Sequence, residues 1–242
     1  MPHAVERRVA AEREAAAVPG RRHPLRSRVA RLRAAHSYRS VLALVAATFV
    51  FASVAGDGGW TDSVLLMLES VTLVLALWTA GLARWSSRTL VAILSVTSIL
   101  ALARLVADSQ RIAGVTGLAT GVLAVATIVA IAVGVIDQDE VNAHSITGAV
   151  CIYLLLGLLF LFLYSAVALI GSGPFFAQGT DGTRALRLYF SYVTLATLGY
   201  GDYTPAGHLG HTVAVLEALV GQLYLVTVLA LLVSRLRDKG SG

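Results

Sequence analysis

The chain is predicted to be an all-α membrane protein with six transmembrane helices and one re-entrant helix between the last two. Three observations carry this expectation. Hydrophobic residues make up 57% of 242 positions and charged residues 14%, with a mean hydropathy of +0.76, a balance far from that of a soluble domain of this size. Six apolar runs, at 40–56, 63–83, 89–107, 112–136, 146–170 and 209–234, have about the length needed to cross roughly 30 Å of hydrocarbon. A seventh stretch, 184–194, is too short to cross and follows a Gly- and Asp-containing segment at 179–182, which suits a helix that enters and turns back.

Residues 1–39 hold ten Arg against three Glu and have no apolar core, so a cleaved secretory signal is not expected there. This basic arm reads either as a solvated tail or as a segment lying on anionic lipid, where each basic side chain near the surface contributes about 1 kcal/mol. Lacking interleaved aromatics, it is not expected to bind nucleic acid. Arg84 and Arg88 at the second connection, with Arg235, Arg237 and Lys239 after the last run, place both termini in the cytoplasm of a multi-pass cell-membrane protein. The connection 137–144 has no Lys or Arg, but its acidic residues weigh little in that rule.

The first apolar run is the shortest. In the second and third, Glu69 and Arg104 lie at similar depth, and the cost of charge there makes an ion pair the expectation. The fourth carries Gly114, Gly117 and Gly121 among Thr and Ala, a small-residue face suited to close helix packing. Cys151, the single cysteine, excludes an intrachain disulfide. No metal-ligand cluster, nucleophile elbow, phosphate loop or dinucleotide fingerprint is present, so the chain is not expected to be an enzyme or to need a cofactor.

Between the short stretch and the last run stand Thr197, Leu198, Gly199, Tyr200, Gly201 and Asp202. A strand whose successive carbonyls face one axis alternates between ordinary and positive φ, which Gly199 and Gly201 tolerate. Alone, Gly-Tyr-Gly-Asp would pass for a surface turn. Its flanks change that, because non-helical backbone at membrane depth survives only where it lines water or is buried in protein. The stretch closely resembles the selectivity-filter signature of tetrameric potassium channels, and the likeness to their pore module extends over 146–236. Residues 40–137 then read as a four-helix sensor-like domain and 237–242 as a short cytoplasmic tail.

That resemblance implies K+ as the permeant ion, held by carbonyls of Thr197, Leu198, Gly199 and Tyr200 with the Thr197 hydroxyl, and Asp202 anchoring the mouth. It implies a homotetramer, since one filter strand per chain cannot surround an ion. Tyr189 and Phe190 stand where the family often has an aromatic pair around the filter. Glu217 falls at the depth of the pore helix and is expected to brace the filter from behind through a partner such as Tyr192 or Thr194. Gly221 occupies the place of the inner-helix hinge, where a missing Cβ eases bending or close packing. Gln222, Leu225, Leu229 and Val233 form a stripe that either faces a cavity and gate or is ordinary helix packing. Leu198 stands where Val or Ile is more common, Ala196 replaces a frequent Thr, and Val193 sits where some members place a carboxylate. The fourth run has Arg111 at its edge and no further charge until Asp137, so strong voltage gating is not expected, one charge yielding only about 2.3 kcal/mol per 100 mV. The alternatives are a weakly selective cation channel and a non-conducting channel-like subunit.

Overall fold

An apolar segment in lipid satisfies its backbone polar groups internally, and without proline the α-helix is the direct way to do so. The computed structural model describes residues 38–82, 87–107, 109–136 and 143–240. Regular structure there is helical: α1 (Tyr38–Val54), α2 (Gly59–Thr79), α3 (Ser87–Val106), α4 (Gln110–Ile136), α5 (Ala143–Ile170), α6 (Arg184–Leu195) and α7 (His208–Gly240). All five prolines fall outside these helices. Strand-like pairing among the described residues amounts to isolated bridges from Phe176 to Thr180 and to Pro205. The arm at 1–37, the second connection at 83–86, the fourth at 137–142 and the last two residues lie outside the described residues.

Hydroxyls inside the apolar helices are satisfied locally. Those of Thr48, Ser70, Thr72, Thr116, Thr120 and Thr127 each donate to the carbonyl four residues back, at 2.6–2.9 Å. Five helices, α2 to α5 and α7, are long and apolar enough to cross a membrane. The apolar α1 has 17 residues, about 25 Å at 1.5 Å per residue, so the expectation of six spans rests for its first member on a shorter helix. The second helix starts and ends four residues before the run read from sequence. Its end is set by Gly81, whose φ of 74° lets the N–H groups of Gly81 and Leu82 turn back onto the carbonyls of Trp78 and Leu77 at 3.2 and 3.1 Å.

Packing places α5 at the centre, against α1, α4, α6 and α7, while α2 joins α1, α3 and α4 into the rest of the bundle. Val41, Val45, Leu65, Leu66, Leu73, Ile131, Leu155 and Leu158 fill the core between them. The short α6 is wedged against α1, α5 and α7. Only 11% of the most apolar window of α7 is covered within one chain.

The ion pair expected between Glu69 and Arg104 does not form. Arg104, in the last turn of α3, donates from Nε to Asp62 Oδ2 at 3.0 Å. Asp62 lies in the first turn of α2, level with Arg104, whereas Glu69 is two turns further along and buried, its carboxyl oxygens without a hydrogen bond among the described residues.

Candidate functional site

The site is built on α6. Thr183 caps it from an extended conformation (φ −79°, ψ 167°), its hydroxyl accepting from the Leu186 N–H at 3.2 Å. Twelve residues give a rod of about 18 Å, too short to span, with its carbonyl end directed into the following segment. There the chain tightens rather than stops. The N–H of Thr197 donates to Thr194 O and that of Leu198 to Val193 O, both at 2.9 Å, so the next strand is fastened to the last turn of α6.

In that strand the backbone alternates in hand. Thr197, Gly199 and Gly201 have φ of 56°, 57° and 77°, while Leu198 and Tyr200 between them keep negative φ. This is the alternation of ordinary and positive φ expected of a strand whose successive carbonyls face one axis. The glycines were expected to do this; Thr197 was not. A β-branched residue at positive φ is a rare conformer that costs about 1–3 kcal/mol and is kept only where the surroundings enforce it. No residue-type signal could have shown it. Residues 197–202 are exposed in a single chain, with Leu198 57% and Tyr200 65% accessible.

Tyr189 and Phe190, adjacent in sequence, face opposite ways. The Tyr189 hydroxyl donates to Asp202 Oδ2 at 2.8 Å, and its ring lies nearly parallel to Tyr200 with centroids 6.4 Å apart. That hydrogen bond to Asp202 holds the Tyr189 phenol above its ordinary range. Phe190 is buried away from the strand, in a knot with Tyr164, Phe175 and Phe176. The knot anchors the loop before α6 to the one after the strand: Ala206 N–H donates to Phe175 O at 2.7 Å and Ala177 N–H to Thr204 O at 2.8 Å. Gln178 joins the two at the strand's end, its amide donating to Asp202 O at 2.8 Å. Neither Tyr164 nor Gln178 stood out in the sequence, since both are unremarkable residue types distant from the motif.

Glu217 of α7 is wholly buried behind α6. Its carboxyl accepts from Ser191 Oγ at 2.5 Å and from the Tyr164 hydroxyl, tying together α7, α6 and α5. Ser191 and Tyr164 hold it in place of the expected Tyr192 or Thr194. Tyr192 instead donates to Leu154 O on α5 at 2.6 Å and meets Phe49 of α1 edge-on at 5.0 Å. Thr194 contributes the carbonyl that receives Thr197, with its side chain half-buried.

Gly221 lies where α7 crosses the end of α6, and a Cβ there would sit 2.3 Å from Leu195 O. Close packing, of the two roles open to it, is what this contact demands. Gln222 and Leu225 are exposed on α7, while the side chains of Leu229 and Val233 lie outside the described residues.

Fold and site together define an all-helical membrane protein in which a short helix delivers a strand of alternating hand beside an uncovered last helix. Residues 148–238 match the family model described as an ion channel. Over 77 residues it is 34% identical to the inward rectifier potassium channel Kirbac3.1 of Paramagnetospirillum magnetotacticum, covering 32% of this chain and 26% of that one. Over 56 residues it is 46% identical to the probable potassium channel protein 2 of Methanocaldococcus jannaschii, covering 22% of this chain and 16% of the relative. The chain thus aligns with about a quarter of the first relative's length and a sixth of the second's. No solved structure gives a significant match.

Proposed function

We propose that the chain conducts K+ passively across a cell membrane as a homotetramer. The observation that carries this reading is the alternation of φ over Thr197–Gly201, fastened to the carbonyl end of a re-entrant helix. Carbonyls of Thr197, Leu198, Gly199 and Tyr200, with the Thr197 hydroxyl, replace the hydration shell of K+, and Asp202 fixes the mouth through Tyr189. One exposed strand encloses nothing; four around a closed symmetry axis enclose an ion and cover the apolar faces of α7. Glu217 braces the filter from behind through Ser191. On α7, Gln222 lines the central cavity, and Leu225, Leu229 and Val233 of the same stripe are the candidates for an apolar gate. Both termini are cytoplasmic, and with α4 free of basic residues after Arg111 the pore is not strongly voltage-gated.

The test is the reversal potential of the purified protein in planar bilayers under opposed K+ and Na+ gradients, with voltage steps in the same recording. A reversal near the K+ equilibrium potential is expected. Gly199→Ala is expected to abolish selective flux while leaving assembly intact. Its Cβ meets no atom within 4 Å in the protomer, so the cost is the left-handed backbone itself, about 1–2 kcal/mol per strand. Selectivity unchanged in that variant would refute the filter assignment.

A further inference from the structure

The sensor-like bundle is without a basic stripe on α4, yet its contact with the pore module is charged and specific. Beside the start of α6 a cavity of about 300 Å³ is lined in part by Asp62, Arg104, Arg184, Arg187, Thr116 and Thr120. Arg184, the first residue of α6, is buried. Its main-chain N–H donates to Asp57 Oδ1 at 3.0 Å, in the connection between α1 and α2. Its guanidinium donates to Asp62 Oδ1 through Nη2 and to Gly56 O through Nη1, the latter at 3.4 Å. Asp62 also takes Arg104 Nε at 3.0 Å, so one carboxyl joins α2, α3 and α6. A second contact lies further along α6, where Phe49 of α1 packs edge-on against Tyr192, three residues before the helix ends. All of these contacts are made within a single chain.

We propose that Asp62, acting through Arg184, is a positioning residue for the filter, so that the four-helix bundle controls conduction by setting the tilt of α6. The inference rests on the pore function proposed above. A helix transmits displacement as a rod, and packed charge networks joined to rigid elements are the physical means by which coupling travels. The far end of this rod is Val193–Leu195, where the carbonyls of Thr194 and Val193 receive the N–H groups of Thr197 and Leu198 in the filter strand. Removing Asp62 leaves the buried Arg184 guanidinium without its carboxylate, a state that a protein relieves by moving the charge toward water. Arg184 is the first residue of α6 and its main-chain N–H is held by Asp57, so loss of the guanidinium's anchor loosens the first turn of the helix. The bundle then acts on the filter, rather than on α7.

The experiment compares tetramers carrying Asp62→Asn, Arg184→Gln and both, recorded in planar bilayers with K+ on both sides and then under K+ and Na+ gradients. Each single variant is expected to change open probability about tenfold, within the usual range of coupling between sites. The double variant is expected to be no worse than either single, and Arg184→Lys to recover most of the wild-type behaviour. Hydrogen exchange of the amides at 195–202 is expected to quicken in the single variants, a readout that needs no current. Assembled Asp62→Asn tetramers with wild-type open probability, permeability ratio and exchange would overturn the proposal, as would single effects that simply add. Should Asp62→Asn fail to assemble, Asp62→Glu displaces the same charge by one methylene; gating indifferent to it would also overturn the proposal. A wild-type chain passing no K+ refutes the pore function instead, and the exchange comparison then decides the positioning role by itself.

Discussion

Gly221→Ala sets two physical effects of opposite sign against each other. In an ordinary helix interior, alanine for glycine stabilises by about 1 kcal/mol. Were Gly221 only a point of bending, its replacement would stiffen α7 and raise thermal stability. The structure predicts the reverse. The added Cβ would lie 2.3 Å from Leu195 O, 3.1 Å from its carbonyl carbon and 2.9 Å from Leu195 Cδ1. A carbon and a carbonyl oxygen in contact sit about 3.3 Å apart at closest. The two helices must therefore separate by roughly 1 Å, and because the obstacle is backbone no change of rotamer relieves it. Overpacking of this kind costs about 1–3 kcal/mol, which leaves a net loss of up to about 2 kcal/mol per protomer after the helix propensity is credited. The displaced group is the last residue of α6, so the strand fastened to that turn shifts with it. Thermal melting of the detergent-solubilised protein should fall by several degrees, and the K+ over Na+ permeability ratio should drop in bilayer recordings. A variant that melts at or above the wild-type temperature with an unchanged ratio would refute the packing argument and restore the bending one.

Two further outcomes are expected. Tyr164→Phe removes a donor from the buried Glu217 carboxyl and should cost about 1–3 kcal/mol, measured by melting. Combined with Ser191→Ala, it should cost less than the sum of the two, because both act on one group. Tyr189 gives a dependence on alkaline pH: since the folded protein holds its phenol above the ordinary range, its contribution is complete below the ordinary phenol pKa and is lost as pH rises through the shifted one. Conductance should decline over that alkaline interval in the wild type and stay flat in Tyr189→Phe.

The re-entrant helix and the strand after it were legible because they depend on residue type. A polar segment interrupts apolar runs, and glycine alone takes positive φ cheaply, so the architecture was written in composition and spacing. What could not be read depends on rotation about helix axes and on meetings across the fold. The depth of Glu217 was clear, but whether it faces Tyr192, Thr194 or Ser191 depends on the phase of α7 against α6, which one residue shifts by about 100°. Arg104 was expected to meet Glu69 because depth was the only coordinate available; the structure turns it to Asp62 in the first turn of α2. The Arg184 node joins residues more than a hundred positions apart, and three charges near helix ends carry no mark of such a partnership. The positive φ of Thr197 ran against its residue type outright.

The exposure of residues 197–202 in the single chain has a genetic consequence. In the proposed homotetramer no protomer owns a working filter; it owns a quarter of one. Where wild-type and Gly199→Ala chains are made in equal amounts and mix freely in fours, only about one assembly in sixteen is free of the altered strand. A loss confined to one allele would then behave as dominant, and the residual current, titrated against the ratio of the two chains, would follow a fourth power and so count the subunits directly.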